Sequence, residues 1–276
     1  MKYLSLRQIQ QEELGMLKNF IAFCEKNNLR YFLYGGTALG AIRHKGFIPW
    51  DDDIDVIMPR QDYESLLSLI SRGCKIDKDY IVEAPEISRK THALFAKIYN
   101  TKIKVKANNN IDDGFLWIDI MQLDGLPENY NKYIKKLVIL REIWLKKVRQ
   151  KYKRYYKEKS KLHNNLIKIK RMPLGFISYR LLTKYIINYC KKYPYETSKY
   201  VCNNAWYTTP SKIFKKEWFR DAIKVQFEDI EANICIDYDK FLSKRYGKNY
   251  MEIPPKSEQV THSFRAWRVE VENNSK

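Results

Sequence analysis

The stretch Tyr34-Gly35-Gly36-Thr37-Ala38-Leu39-Gly40, followed by Pro49-Trp50-Asp51-Asp52-Asp53-Ile54-Asp55-Val56, constrains this chain more than any other. It sets a glycine turn, a short helix and four carboxylates side by side in an otherwise basic protein. Leu29–Tyr34 is short, aromatic and apolar, which predicts a buried strand ending at Gly35. Thr37 predicts a helix N-cap, and Gly46 predicts the end of that helix. Residues 53–58 alternate Asp-Ile-Asp-Val-Ile-Met, the pattern of a second strand. Side chains two apart on a strand share a face, so Asp53 and Asp55 point the same way, about 7 Å apart. Ile54, Val56 and Met58 are left for the core, and Asp51 and Asp52 fall in the approach loop.

Two carboxylates at that spacing repel unless something positive lies between them. Mg²⁺ (or Mn²⁺) suits them, because a hard cation takes one or two carboxylates together with substrate phosphates. Asp119 repeats the arrangement in the run Gly114–Met121, flanked by Ile118 and Ile120. Beside the first strand it becomes a third acid, either a further ligand or a base for an attacking hydroxyl. Gly35 and Gly36 allow close backbone approach, and a helix starting near Thr37 offers free N–H groups to a phosphate. Arg43, His44 and Lys45 end that helix; they read as phosphate contacts or as ordinary helix-end cations. Lys97 is a further phosphate candidate. Trp50 reads as a packing residue and His262 as a surface one.

Elsewhere the spacing predicts helices over residues 5–28, Gln61–Ser71, Phe176–Tyr189 and Asp237–Tyr246. Ala93–Tyr99 and Lys102–Val105 read as a hairpin joined at Asn100-Thr101. Residues 199–210 read as strand and loop, and the tail after Pro254-Pro255 as irregular. Five separated cysteines without a CxxC pair exclude a zinc site and predict reduced, mostly buried thiols. Met1–Ser5 runs straight into a polar amphipathic pattern, so no signal peptide is expected. No run approaches the length of a membrane span. The expected location is cytoplasmic, at most peripheral at the inner face of the membrane.

The charge is uneven. Lys132–Lys192 holds 20 Lys and Arg against two acids, a surplus of +18 within a chain of net +19. From Tyr130, Leu137, Leu140, Trp144, Val148, Tyr152 and Tyr155 recur at steps of three or four with Lys and Arg between, the pattern of a basic amphipathic helix. Met172-Pro173-Leu174-Gly175 breaks it. A solvated helical insertion, an anionic membrane surface reached through 132–192, or a phosphate-rich acceptor would each explain this charge. Nucleic acid is disfavoured, because no nucleic-acid-binding signature accompanies it. The resulting division is a catalytic unit over 1–128 and 200–262, a basic helical insertion over 129–199 and a polar tail over 263–276.

The long run from Tyr34 through Arg43-His44-Lys45-Gly46 to Trp50-Asp51-Asp52-Asp53-Ile54-Asp55-Val56 resembles the signature of the LicD family. That family comprises phosphocholine transferases and related cell-surface glycan enzymes, the fukutin-like proteins among them. Shorter similarities follow at Phe95-Ala96-Lys97, Trp117–Ile120, Leu123–Pro127, Phe227-Glu228, Tyr238-Asp239, Tyr246-Gly247, Met251 and Pro254-Pro255. The resemblance implies an α+β fold of nucleotidyltransferase type: a small mixed sheet with flanking helices, here carrying the basic helical insertion. It also implies that a CDP-alcohol donor, most often CDP-choline, gives its phospho-alcohol to a sugar hydroxyl of a lipid-linked or surface glycan. Teichoic acid, lipopolysaccharide and capsule are such acceptors. On that footing Asp53 and Asp55 hold the metal, Asp119 is base or co-ligand, Gly35, Gly36 and Thr37 hold the nucleotide phosphates, and Lys97 contacts phosphate. Two other readings stay open: a nucleotidyltransferase passing NMP from an NTP to a small molecule or RNA, and a non-catalytic glycan- or membrane-binding protein.

Overall fold

A computed structural model describes residues 2–88, 91, 93–107, 114–151, 178–205, 210–259, 261 and 264–269. The chain begins with α1 (Leu6–Lys26), β1 (Phe32–Leu33), α2 (Gly35–His44), β2 (Asp55–Pro59) and α3 (Arg60–Ser71). Strands β3 (Tyr80–Glu83), β4 (Ala96–Ala107) and β5 (Gly114–Leu126) follow, then α4 (Asn131–Lys151) and α5 (Tyr179–Cys190). The C-terminal part holds β6 (Tyr200–Cys202), β7 (Phe214–Lys215), β8 (Ala222–Phe227), β9 (Ile230–Cys235), α6 (Tyr238–Tyr246) and β10 (Phe264–Arg268). This is the α+β class expected, with a mixed sheet ordered β1-β2-β5-β4-β10. Only β2 and β5 pair in parallel along that path. Strand β3 adds to β4, and β6 and β7 extend the end of β5.

Helix α1 starts on a capping box in which Ser5 and Gln8 satisfy each other's backbone N–H groups, worth about 1 kcal/mol. Its apolar stripe of Ile9, Leu14, Leu17, Phe20, Ile21 and Phe23 is buried in the main core. A second core lies between α4 and α5, where Leu137, Trp144 and Val148 meet Leu182, Ile186 and Ile187. Trp144 Nε1 donates to Thr183 Oγ1 at 2.9 Å, and Tyr133 stacks on Tyr189 with centroids 4.7 Å apart. The helical pair is tied to the sheet through Asn204, whose Nδ2 donates to Tyr133 Oη at 3.1 Å and to the carbonyls of Cys190 and Gly125. All five cysteines are free; only Cys74 is exposed.

The structure departs from the sequence reading at several places. The expected hairpin at Asn100-Thr101 is one long strand, β4, with a register shift against β5 between Asn100 and Lys104. Asn100 Oδ1 accepts from Lys102 N at 3.0 Å and Thr101 N donates to Asp79 O at 3.0 Å, so the pair bulges instead of reversing. An Asn-Thr pair also lacks the glycine that a tight hairpin turn favours. Helix α2 begins at Gly35 with Tyr34 as N-cap, not at Thr37, and ends on Lys45 in the left-handed region (φ 59°), ahead of Gly46. Strand β1 covers only Phe32–Leu33, and β2 is shifted two residues to start at Asp55. Part of the tail read as irregular is β10, antiparallel to β4, with Ala266 buried. The β8–β9 hairpin and β3 went unread. The break at Met172–Gly175, the start of the helix at Phe176, the far end of the basic helix and His262 lie outside the described residues. Among those described, no helix is long and apolar enough to cross a membrane.

Candidate active site

The sheet register assembles the site. Asp55 on β2 is the direct neighbour of Asp119 on β5, and Asp119 of Lys97 on β4. Directly paired residues on adjacent strands face the same side, so two carboxyls and an ammonium form a row at strand spacing, about 4.8 Å per step. Lys97 Nζ lies 2.8 Å from Asp119 Oδ1 and 4.3 Å from the Trp117 ring centroid. The row continues on its other side into Tyr34, whose N–H donates to Asp55 O at 3.0 Å. Asp53 precedes β2. It and Asp55 are half-buried while Ile54 and Val56 are fully buried, the alternation that strand parity requires.

The start of α2 closes over this row. Gly35 has φ +56°, and a Cβ there would sit 2.2 Å from Asp55 Oδ2. A Cβ on Gly36 would sit 2.4 Å from Asp51 Oδ2. The glycine pair therefore lets two carboxyls press against a helix N-terminus, where unpaired N–H groups and the helix dipole favour negative charge. Asp51, expected in the approach loop, turns back onto α2 in doing so. Thr37 Oγ1 accepts from Asp55 N at 2.8 Å, locking the strand to the helix.

Electrostatically the row is crowded. Burial pushes the Asp55 carboxyl well above the usual carboxylate range, the charges of Asp53 and Asp119 push it further, and Arg245 and Lys97 pull it back. Helix α1 contributes Glu13, only 1% exposed, whose Oε2 has no hydrogen-bond partner among the described residues. Its carboxyl is raised by burial first, then by Asp53, Asp52, Asp51 and Asp119. As they stand, no three His, Cys, Asp or Glu side chains among the described residues are drawn into a metal-ligand set. The donors present are hard carboxylate oxygens whose mutual repulsion a divalent cation would relieve, and that chemistry fits Mg²⁺.

A family model described as LicD/FKTN/FKRP, nucleotidyltransferase domain, matches residues 28–153, which contain the whole acid row. The sequence is 30% identical over 268 residues to the lipopolysaccharide cholinephosphotransferase LicD of Haemophilus influenzae, covering 95% of this chain and 97% of that protein. The chain belongs to the LicD family. A second relative, the uncharacterized protein RP689 of Rickettsia prowazekii, is 30% identical over 130 residues, 47% of this chain and 42% of its own length. The alignment with the Haemophilus LicD spans nearly all of both chains, so the basic middle segment lies within the shared length.

Not every residue singled out in the sequence reaches this candidate site. Asp53, Asp55, Asp119, Lys97, Gly35, Gly36 and Thr37 converge. Arg43 is about 10 Å along α2 from Gly36 at 1.5 Å per residue. Its Nη1 is spent on the carbonyls of Tyr250 and Glu252, at 3.0 and 2.8 Å. Lys45 lies beyond it, exposed. His44 sits edge-on to Trp50, which packs against the core as expected. Three residues escaped the sequence reading: Glu13, Lys212 and Arg245. Arg245 stood in plain view beside Tyr246-Gly247, four residues after the buried Phe241. Nothing local, however, reveals that α6 returns to Tyr34 at the start of α2.

Proposed function

We propose that this LicD-family chain transfers a phospho-alcohol, phosphocholine in the first instance, from a CDP-alcohol to a sugar hydroxyl of a cell-surface glycan. The observation that supports this reading most directly is the acid row Asp55–Asp119–Lys97 at the α2 N-terminus, in a chain that matches the Haemophilus cholinephosphotransferase along nearly its full length. The acceptor oxygen attacks the phosphorus that bears the alcohol. The bond from that phosphorus to the bridging oxygen breaks, CMP leaves, and the hydroxyl proton passes to a carboxylate. Asp53, Asp55 and Asp119 would hold Mg²⁺ (or Mn²⁺); the cation supplies neutralisation of the phosphate oxygens. Lys97 positions Asp119 through their ion pair, and the α2 N-terminus meets the donor's phosphates.

A panel of CDP-choline, CDP-ethanolamine, CDP-glycerol, CDP-ribitol and CTP, with Mg²⁺ and membrane glycan, tests the reading. CMP release with one alcohol ester supports it. Pyrophosphate release from CTP alone would instead assign NMP transfer.

We also propose that the α4–α5 pair docks on an anionic membrane at its inner face, near a lipid-linked acceptor such as lipopolysaccharide, teichoic acid or capsule precursor. Ile139, Leu181 and Tyr185 are 61%, 70% and 47% exposed, and Lys136 lies over the Tyr185 and Tyr189 rings. Apolar side chains among lysines suit a lipid interface. The protein should sediment with phosphatidylglycerol vesicles at low salt and not with phosphatidylcholine vesicles; equal recovery with both contradicts the idea.

A further inference from the structure

A reaction on a phosphate ester needs cations beside the acid row, and those expected from the sequence are committed elsewhere. Arg43 caps carbonyls of the 250–252 segment, Lys97 is paired with Asp119, and Lys45 lies at the far end of α2. Besides Lys97, the cations that act on Asp55 come from the C-terminal half of the chain. Arg245, in the last turn of α6, exerts its charge on Asp55, as does Lys212 in the 3₁₀ turn Pro210–Lys212.

Arg245 is built into the wall. Its guanidinium carbon lies 4.6 Å from the Tyr34 ring centroid and 5.3 Å from that of Tyr246, and Nη1 donates to Tyr34 Oη at 3.1 Å. Tyr34 itself stacks on Phe241 at 5.6 Å and packs edge-on to Phe214, so the aromatic cluster that anchors α6 also fixes the arginine. A guanidinium carries five N–H donors, and the buried Nε has no partner among the described residues. The turn that carries Lys212 packs against α6. Burial, then the charges of Arg245 and Arg141, push the Lys212 ammonium below its ordinary range. Arg141, only 6% exposed, comes from α4, so the basic segment reaches this corner. The charge of Asp55 acts on both cations, and a phosphate anion between them would be shared in the same way.

We propose that Arg245 and Lys212 form an anion subsite beside Asp55 that binds the substrate's phosphate groups. Assigning that anion to the diphosphate of a CDP-alcohol rests on the function proposed above. An aromatic-backed guanidinium fork suits two phosphate oxygens, and the lysine adds a point charge.

The test is calorimetric binding of pyrophosphate, CDP and CMP, with Mg²⁺, to the wild type, Arg245→Gln, Arg245→Lys and Lys212→Ala, alongside steady-state kinetics. Wild type should bind pyrophosphate and CDP. Arg245→Gln and Lys212→Ala should each weaken CDP by about tenfold, one lost charge-assisted contact. Arg245→Lys should recover part of that loss, CMP should be affected less, and the KM for the donor should rise while that for the acceptor holds. Should Arg245→Gln fail to fold, Lys212→Ala and Arg245→Lys still decide the matter. Unchanged CDP affinity in folded variants overturns the subsite, and so does a loss confined to the acceptor KM. A wild type that binds pyrophosphate and CDP, loses both in the variants, yet transfers no phospho-alcohol sinks the donor assignment and leaves the subsite standing. A wild type that binds neither sinks the subsite.

Discussion

Gly35 carries two demands at once: a left-handed backbone and a carboxyl where its side chain would be. Gly35→Ala should therefore cost about 1–3 kcal/mol of stability and displace Asp55. Transfer should fall by about 100-fold or more, since misplacing a reacting group by about 1 Å has that effect. Thermal denaturation and a CMP-release assay check both halves; an active, equally stable variant would contradict this account of the glycine. Strand parity made Asp53 and Asp55 legible, because the period of two is a local property. The reason for the glycine pair was not. The sequence suggests a phosphate cradle; it does not show that Asp55 and Asp51 are its close neighbours, brought there by β2 pairing with β1 and by the 48–51 turn. Glu13 was hidden for a different reason. On α1 it falls on the buried stripe, four residues from both Ile9 and Leu17, so the spacing did place an acid in the core; only the approach of α1 to β5 shows that its neighbours are Asp53 and the other acids of the site.

At the scale of elements, β5 is the spine of the molecule. Its middle carries Asp119, and its end carries Asp124 and Gly125, where the α4–α5 unit and β6 attach. Arg60, at the start of α3, donates from Nε to Asp124 Oδ1 at 2.6 Å, and both residues are buried. Removing one partner of such a pair strands a charge, so Arg60→Met should cost about 3–5 kcal/mol. Urea denaturation measures it, and a loss below about 1 kcal/mol would show the pair to be dispensable. Helices α1, α3 and α6 and the strand β5 were legible from their spacing and from Gly, Pro and cap residues. Strand β3, the β8–β9 hairpin and β10 were not. Each is short, and β10 is defined by the edge of β4 that it covers rather than by a pattern of its own.

For the whole molecule, the charge count separates a near-neutral portion from a basic one, and the structure shows how they join. The apolar stripe of α4 packs on α5 over a second core, and the charge of the buried Arg141 on α4 acts on Lys212. The α4–α5 pair thus stands beside Lys212 and also presents lysines and apolar side chains outward. What the sequence could not supply is this closure: residues 210–246 return to β1 and α2 over a separation of some two hundred residues, through contacts among Tyr34, Phe214 and Phe241. The central claim is that the acid row performs the transfer. Its most direct measurement is CMP release by Asp55→Asn, with the donor that the wild type accepts, Mg²⁺ and membrane glycan. Asn keeps the shape while removing a repelled charge, so the variant should melt no lower than the wild type and lose transfer by more than the roughly 10–100-fold that losing a partner of a metal ligand costs. A folded Asp55→Asn protein that releases CMP at the wild-type rate would contradict the account.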